Sequence, residues 1–512
     1  MDKHKIKTLQ DLITAAAKEY GDKIFLKEKH GKDVIEKSFN TFCEDVQRMT
    51  AFVSSKRSSD KPLHAAVIGA SSYAWLVSYF GIVCGGNAAV PLDAQLGCSD
   101  ICELLNRSDS EIFFCDSRYE SMIPEIQQSC PNVQTFVCFS TDFETILKEN
   151  APAAFQPVAP QALAAISYTS GTTGKSKGVM LLNSNLIDNA MCQDNESTPD
   201  DVILSVLPIH HIYCFTCDIL CCLRYGAELC LNDSMLHIPQ NLKLFHPTIM
   251  LIVPMIAETM YKQICAAANA KPNIPISAIA NAVFGGRLRT IYSGGAYLRP
   301  ELQKAYIDMG FQMAQGYGMT ECSPRISTAD PFDTACDGDV GVIVNGCQVK
   351  TVDGEIMVKS PSVMAGYYKD SEATAEAITP DGWLHTGDLG YVDDKKRIFI
   401  TGRKKNLIIL SNGENVSPEE LENKFAGTDY IAEILVYTED SVICAEIFPD
   451  NNVCADWTDE ELAAKFHETV DAVNKTVTSA KAIRRLRIRK IEFDKTTSKK
   501  IRRNQAVHGQ QV

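Results

Sequence analysis

Positive charge is in deficit in this chain. Its 50 Lys and Arg are outnumbered by 64 Asp and Glu, giving a formal net charge of -14 at pH 7, so nucleic acid is not expected as a partner. The first eight residues, MDKHKIKT, hold no apolar stretch and are not expected to act as a secretory leader. Internal repeats and low-complexity tracts are absent. Ordered cysteine spacings are missing too. The nineteen cysteines are scattered, many inside apolar runs such as 214–222, and Cys221 and Cys222 are adjacent. That pattern fits neither a zinc knuckle nor a disulfide framework; it fits small core residues in a reducing, cytoplasmic compartment. One uncharged run, residues 65–92, resembles a membrane span in composition. It is broken by Gly69, Gly81, Gly85, Gly86 and Pro91. It reads instead as strand 65–69, helix 71–84, glycine turn and strand 88–90, a buried unit with no integral membrane segment.

What is present suits a soluble α/β enzyme. The 512 residues exceed one ordinary core and allow two or three domains, with 45% hydrophobic and 22% charged residues. Short apolar runs at 65–70, 111–115, 135–138, 202–206, 227–231, 248–253 and 290–292 alternate with amphipathic segments. The alternation predicts parallel sheets flanked by helices. After about residue 330 the texture changes to short strands and turns (354–359, 390–392, 397–401), as in a small β subdomain. A charged turn, GRKK at 402–405, opens a further unit with strands near 431–437 and 442–447. Ser417, Pro418 and Glu420 predict a helix start with a capping box. The expectation is α/β: a large N-terminal domain over 1–401 and a small C-terminal α+β domain over 402–512.

The densest chemical signal is YTSGTTGKSKG at 168–178. Its glycines let backbone N–H groups approach oxygens. Thr169, Ser170, Thr172 and Thr173 add donors, and Lys175 and Lys177 add charge, a composition made for wrapping a polyphosphate. Gly171 and Gly174 fall inside the loop. A Walker A loop needs a glycine where Thr169 stands, and it leads into a helix. Here the chain returns to a strand-like run, so the loop is not that of a P-loop NTPase.

Further motifs follow in order. LPIHHIY at 207–213 ends a strand in a proline and two histidines. YSGGAY at 292–297 offers bare backbone to a flat ring. QGYGMTE at 315–321 joins an aromatic face, a hydroxyl and a carboxylate. WLHTGD at 383–388 ends in a carboxylate suited to ribose hydroxyls. GRKK at 402–405 supplies fixed charge, and KTTSKKIRR at 495–503 places lysines near the C-terminus.

In this order, the set resembles the acyl- and aryl-adenylating superfamily of acyl-CoA synthetases, amino-acid adenylation domains and beetle luciferases. YGMTECSP at 317–324 looks most like medium- and long-chain fatty acid–CoA ligases. The resemblance implies that a carboxylate attacks the α-phosphorus of ATP and that the thiol of CoA, or of a carrier-protein pantetheine, then displaces AMP. It implies that residues 169–177 cradle the β- and γ-phosphates. Tyr317, within the run Gln315, Gly316, Tyr317, Gly318, would stack on adenine beside Gly295, Ala296 and Tyr297. Thr320 would meet the α-phosphate, Glu321 would hold Mg2+, and Asp388 with Arg403 would take the ribose. His211 matches the mouth of the acyl pocket, with His210 read as structural. Lys405 matches a hinge about which the C-terminal domain is mobile, and Gly413 lines the pantetheine passage.

Lys500 matches the lysine that reaches the α-phosphate and the attacking carboxylate. The family pattern has a proline and a glycine where this chain has Asp494 and Lys499, so Lys499 competes for the role, and a nucleotide-binding module without catalysis is the rival reading. Asp218 lies in an apolar run. It could hold a substrate amine, or sit capped or facing solvent. The basic run 475–503, opposed only by Glu492 and Asp494, suggests an anionic ligand or a solvated tail.

Overall fold

The computed structural model describes the chain except residues 1–4, 170–175, 193–196, 411–414, 441, 496–500, 502, 504–509 and 512. It divides into two compact units. The first comprises Met1–Val349, Val358–Leu384 and Asp394–Arg397; the second comprises Lys350–Met357, His385–Asp393 and Ile398–Val512. The second is thus assembled from three stretches of chain.

The first unit is built on two mixed sheets. In the nine-stranded sheet the strands run, in order, Val342–Ile343, Arg325–Thr328, Gln312–Gly318, Thr290–Ser293, Ile249–Ile252, Val202–Ser205, Glu228–Leu231, Ile24–His30 and Asp33–Ser38. Its six central strands are parallel, and the edges turn antiparallel. The seven-stranded sheet runs Gly366–Tyr367, Lys177–Leu182, Leu163–Thr169, Ala88–Leu92, His64–Ile68, Ser110–Cys115 and Thr135–Cys138. Parallel strands need crossovers, and the alternating amphipathic segments supply them as helices.

The uncharged run folds as read. His64–Ile68 is followed by the helix Tyr73–Cys84 and the strand Ala88–Leu92. Ser72 caps the helix by accepting from the Trp75 N–H, and nearly the whole helix is buried, which explains its lack of a polar face. Among the described residues no helix is long and apolar enough to cross a membrane. The described cysteines are free thiols, most of them buried.

The second unit holds a four-stranded sheet in the order Gln348–Val352, Glu355–Lys359, Leu384–Val392, Ile398–Arg403. It also holds a four-stranded sheet in the order Ile431–Glu439, Val442–Pro449, Arg485–Ile488, Gln510–Gln511. Its core gathers Leu421, Phe425, Ile447, Phe466 and Leu486. Pro418 opens the helix Pro418–Asn423, and Ser417 accepts from the Glu420 N–H. Only that half of the expected capping box forms, because the Glu420 carboxylate reaches Lys481 at 2.9 Å instead.

Candidate active site

In the first unit, the legs of the expected phosphate loop are strands. Leu163–Thr169 and Lys177–Leu182 pair antiparallel, with Tyr168 opposite Gly178 and Thr169 opposite Lys177. Ser170, Gly171, Thr172, Thr173, Gly174 and Lys175 lie outside the described residues. Arg107, which the sequence does not single out, braces this hairpin. Its guanidinium stacks 5.4 Å from the Tyr168 ring centroid and donates to the Ser176 carbonyl.

A second unanticipated residue joins the hairpin to the carboxylate. Tyr367 pairs with Val179 across the sheet edge. The Lys177 ammonium sits 4.8 Å over its ring, and its hydroxyl donates to Glu321 Oε1 at 2.9 Å. Burial first, and the Glu321 carboxylate second, push the phenol up, so it remains a donor. Lys177, Tyr367 and Glu321 therefore form one continuous row.

Thr320 opens the short turn Thr320–Cys322. Asn189 holds this turn. Its amide donates to the carbonyls of Cys322 and Arg325, each at 3.0 Å, and accepts from the Arg325 N–H at 3.2 Å. Gly318 cannot be larger, since an added Cβ would lie 2.1 Å from the Pro324 carbonyl oxygen.

The ring platform forms as a surface. Gly295, Ala296 and Tyr297 are exposed, following the buried end of the strand Thr290–Ser293. Gln315 is buried, with its side chain bonded to backbone. Its carbonyl accepts from the Leu298 N–H at 3.2 Å, and its amide donates to the Asp339 carbonyl at 3.4 Å. It thus ties the platform loop to the strand carrying Gly316 and Tyr317. Tyr213 lies so close to Gly294 that an added Cβ would meet its ring at 2.9 Å. His211 is exposed and caps the next helix by accepting from the Tyr213 N–H at 3.2 Å. Burial holds His210 below the ordinary imidazole range, against the pull of Asp93 at 3.7 Å.

In the second unit, Asp388 and Arg403 face each other across neighbouring strands, with Nε 2.7 Å from Oδ1. Beside them Glu355 is a buried hub. It accepts from Lys404 Nζ at 2.8 Å and the Gly387 N–H at 3.1 Å, and His385 Nδ1 lies 3.2 Å away. Burial works to raise this carboxyl, but Lys404, His385 and Gly387 outweigh it and hold it below the ordinary carboxylate range. Lys405 lies exposed in the turn Lys404–Asn406. Gly413, Lys499 and Lys500 lie outside the described residues. Lys495 and Ile501, which flank the lysines, form an antiparallel bridge.

These features have a match over most of the chain. Residues 13–368 match the model of the AMP-binding enzyme family, and residues 405–509 match that of the AMP-binding enzyme C-terminal domain. The chain belongs to the AMP-binding enzyme family. This AMP-binding enzyme is 28% identical over 454 residues to long chain acyl-CoA synthetase 7, peroxisomal, of Arabidopsis thaliana, covering 76% of this chain and 65% of the relative. It is 30% identical to human long-chain-fatty-acid–CoA ligase 1, over 59% of this chain and 50% of the relative. The chain therefore spans less than two thirds of these relatives. In fold it resembles ATP-bound MatB from Rhodopseudomonas palustris, with TM-score 0.82, 21% identity and 97% of each chain covered. It also resembles the o-succinylbenzoate CoA synthetase MenE from Bacillus subtilis, with TM-score 0.80, 24% identity, and 98% of this chain and 99% of that one covered.

Proposed function

We propose that the protein is an acid–thiol ligase. A carboxylate attacks the α-phosphorus of ATP, pyrophosphate leaves, and an acyl-adenylate forms. The CoA thiol then attacks the acyl carbon, AMP leaves, and the thiol proton passes to solvent, giving acyl-CoA. The observation that carries this reading is the row Lys177, Tyr367, Glu321 beside the glycine-rich hairpin, in a chain of this family. Nucleotidyl transfer needs placed charge more than covalent help, and the row lines up a cation, a hydroxyl and a carboxylate.

The Glu321 carboxylate fits a hard cation. It is partly exposed and receives one neutral donor, from Tyr367, so lone pairs remain for a metal shared with phosphate oxygens. Mg2+ held there would neutralise charge on the phosphates. Thr320 contacts the α-phosphate, Tyr317 and the Gly295–Tyr297 platform hold adenine, and Asp388 with Arg403 receives the ribose. Lys500 meets the α-phosphate, and His211 stands at the acyl mouth. The relatives' names support a fatty or related acid. Acid-dependent ATP–pyrophosphate exchange followed by CoA-dependent AMP release tests the reading. Exchange without any thioester would remove CoA and leave a carrier-protein acceptor. No exchange with any acid would leave a binding module without catalysis.

A further inference from the structure

Arg325 begins the strand that follows the Thr320–Cys322 turn, with its backbone paired to Gly318. Its side chain passes between the end of the helix Asn183–Met191 and the helical segment after the histidine motif. There it comes close enough to Tyr213 and Cys217 to bear on their ionisation. Nη2 donates to the Asn189 carbonyl at 2.7 Å. Nε is sealed from solvent and has no partner, and among the described residues no carboxylate stands within ion-pairing distance of the guanidinium. On elements nearby, Thr216 Oγ1, Asp218 Oδ1, Ser293 Oγ and Thr328 Oγ1 are also buried without partners.

A guanidinium carries five N–H donors in a rigid fork matched to a carboxylate, and leaving such donors buried and unanswered is costly. The bond from Nη2 to a helix-end carbonyl leaves the sealed Nε unanswered. The acid must place its reacting carboxylate by Thr320, and the same turn leads directly to Arg325. A saturated chain threaded past it would leave Nε unanswered; a second carboxylate would accept from it.

Resting on the ligase reading above, we propose that Arg325 sets acid specificity and that the preferred substrate is a dicarboxylic acid, whose distal carboxylate pairs with this guanidinium. The test is pyrophosphate exchange by the full chain with glutarate, adipate and suberate, each against the monocarboxylate of equal length. The best diacid should exceed its monoacid roughly 100-fold in kcat/KM, chiefly through KM. Arg325→Met should bring that ratio to near one, and Arg325→Lys should restore part of it. The wild-type series needs no variant, so misfolding of Arg325→Met leaves the test intact. Exchange that favours monoacids in the wild type, with a ratio blind to Arg325→Met, overturns this proposal alone. No exchange with any acid overturns the ligase reading and this proposal with it.

Discussion

Asp218 shows what one buried side chain does to the energetics of this fold. Ser205 Oγ donates to Oδ2 at 2.8 Å, while Oδ1 has no partner. Burial raises the carboxyl to about 7, and the Ser205 and Cys214 donors only partly offset this. The side chain is thus capped at one oxygen and, contrary to the solvent-facing reading, fully buried, because its whole helical segment packs inside the first unit. A carboxyl whose folded pKa is raised holds its proton after the unfolded chain has lost its own. Stability therefore falls as pH rises from about 4 to 7 and levels above that. Asp218→Asn removes this dependence. Relative to wild type it should gain on the order of 2–4 kcal/mol at pH 8 and little at pH 4, read by chemical denaturation at both. Equal shifts at the two pH values would show that the carboxyl is ionised throughout. A second residue-scale prediction concerns Tyr367→Phe, which deletes one hydrogen bond to Glu321. Exchange should drop about tenfold and recover in part at high Mg2+. Unchanged activity at every Mg2+ level would make Tyr367 a packing residue only.

Among the elements, the strand carrying Asp388 and the turn Lys404–Asn406 share one support, Glu355. Glu355→Gln turns an acceptor of three donors into a group that must aim an N–H at one of them. We expect a loss of about 1–3 kcal/mol in stability and a several-fold rise in KM for ATP, with Glu355→Asp partly restoring KM. If denaturation moves and KM does not, the hub supports the sheet without positioning the ribose site. Elements whose pattern is local were readable from the sequence: the apolar strands, the run 65–92, and the strand Lys177–Leu182 after the glycine-rich motif. Arg107, Asn189 and Tyr367 were not readable, because each acts on a segment distant in sequence, and Tyr367 does so from a two-residue strand with no periodicity to betray it. Gln315 lay in a readable motif, but its amide serves the Leu298 and Asp339 backbone, a choice set by tertiary packing. Nor were the carboxylate partners of the basic run 475–503 readable. Arg485 and Arg487 pair with Glu439, Arg489 with Glu446, Lys495 with Glu433, and Arg503 with Glu422.

At the scale of the whole molecule, the family match covers both units, and the proposed chemistry divides between them. The hairpin, the ring platform and the Thr320–Glu321 turn belong to the first unit; Asp388, Arg403 and the segment bearing Lys500 belong to the second. A lysine needed only while the α-phosphate is attacked should matter for one half-reaction and not the other. Lys500→Ala is therefore expected to lower adenylate formation by at least about 100-fold while largely sparing thioester formation from supplied acyl-adenylate and CoA. The neighbouring Lys499→Ala provides the control, because both substitutions remove one charge from the same basic run. If Lys499→Ala stops adenylation and Lys500→Ala does not, the register carried over from the family is off by one. If both half-reactions fall together, the segment is needed for folding of the second unit, whose flanking Lys495–Ile501 bridge and Arg503–Glu422 pair would then melt with it. Thermal unfolding of the two variants separates these outcomes, since a purely chemical role leaves the transition where the wild type has it.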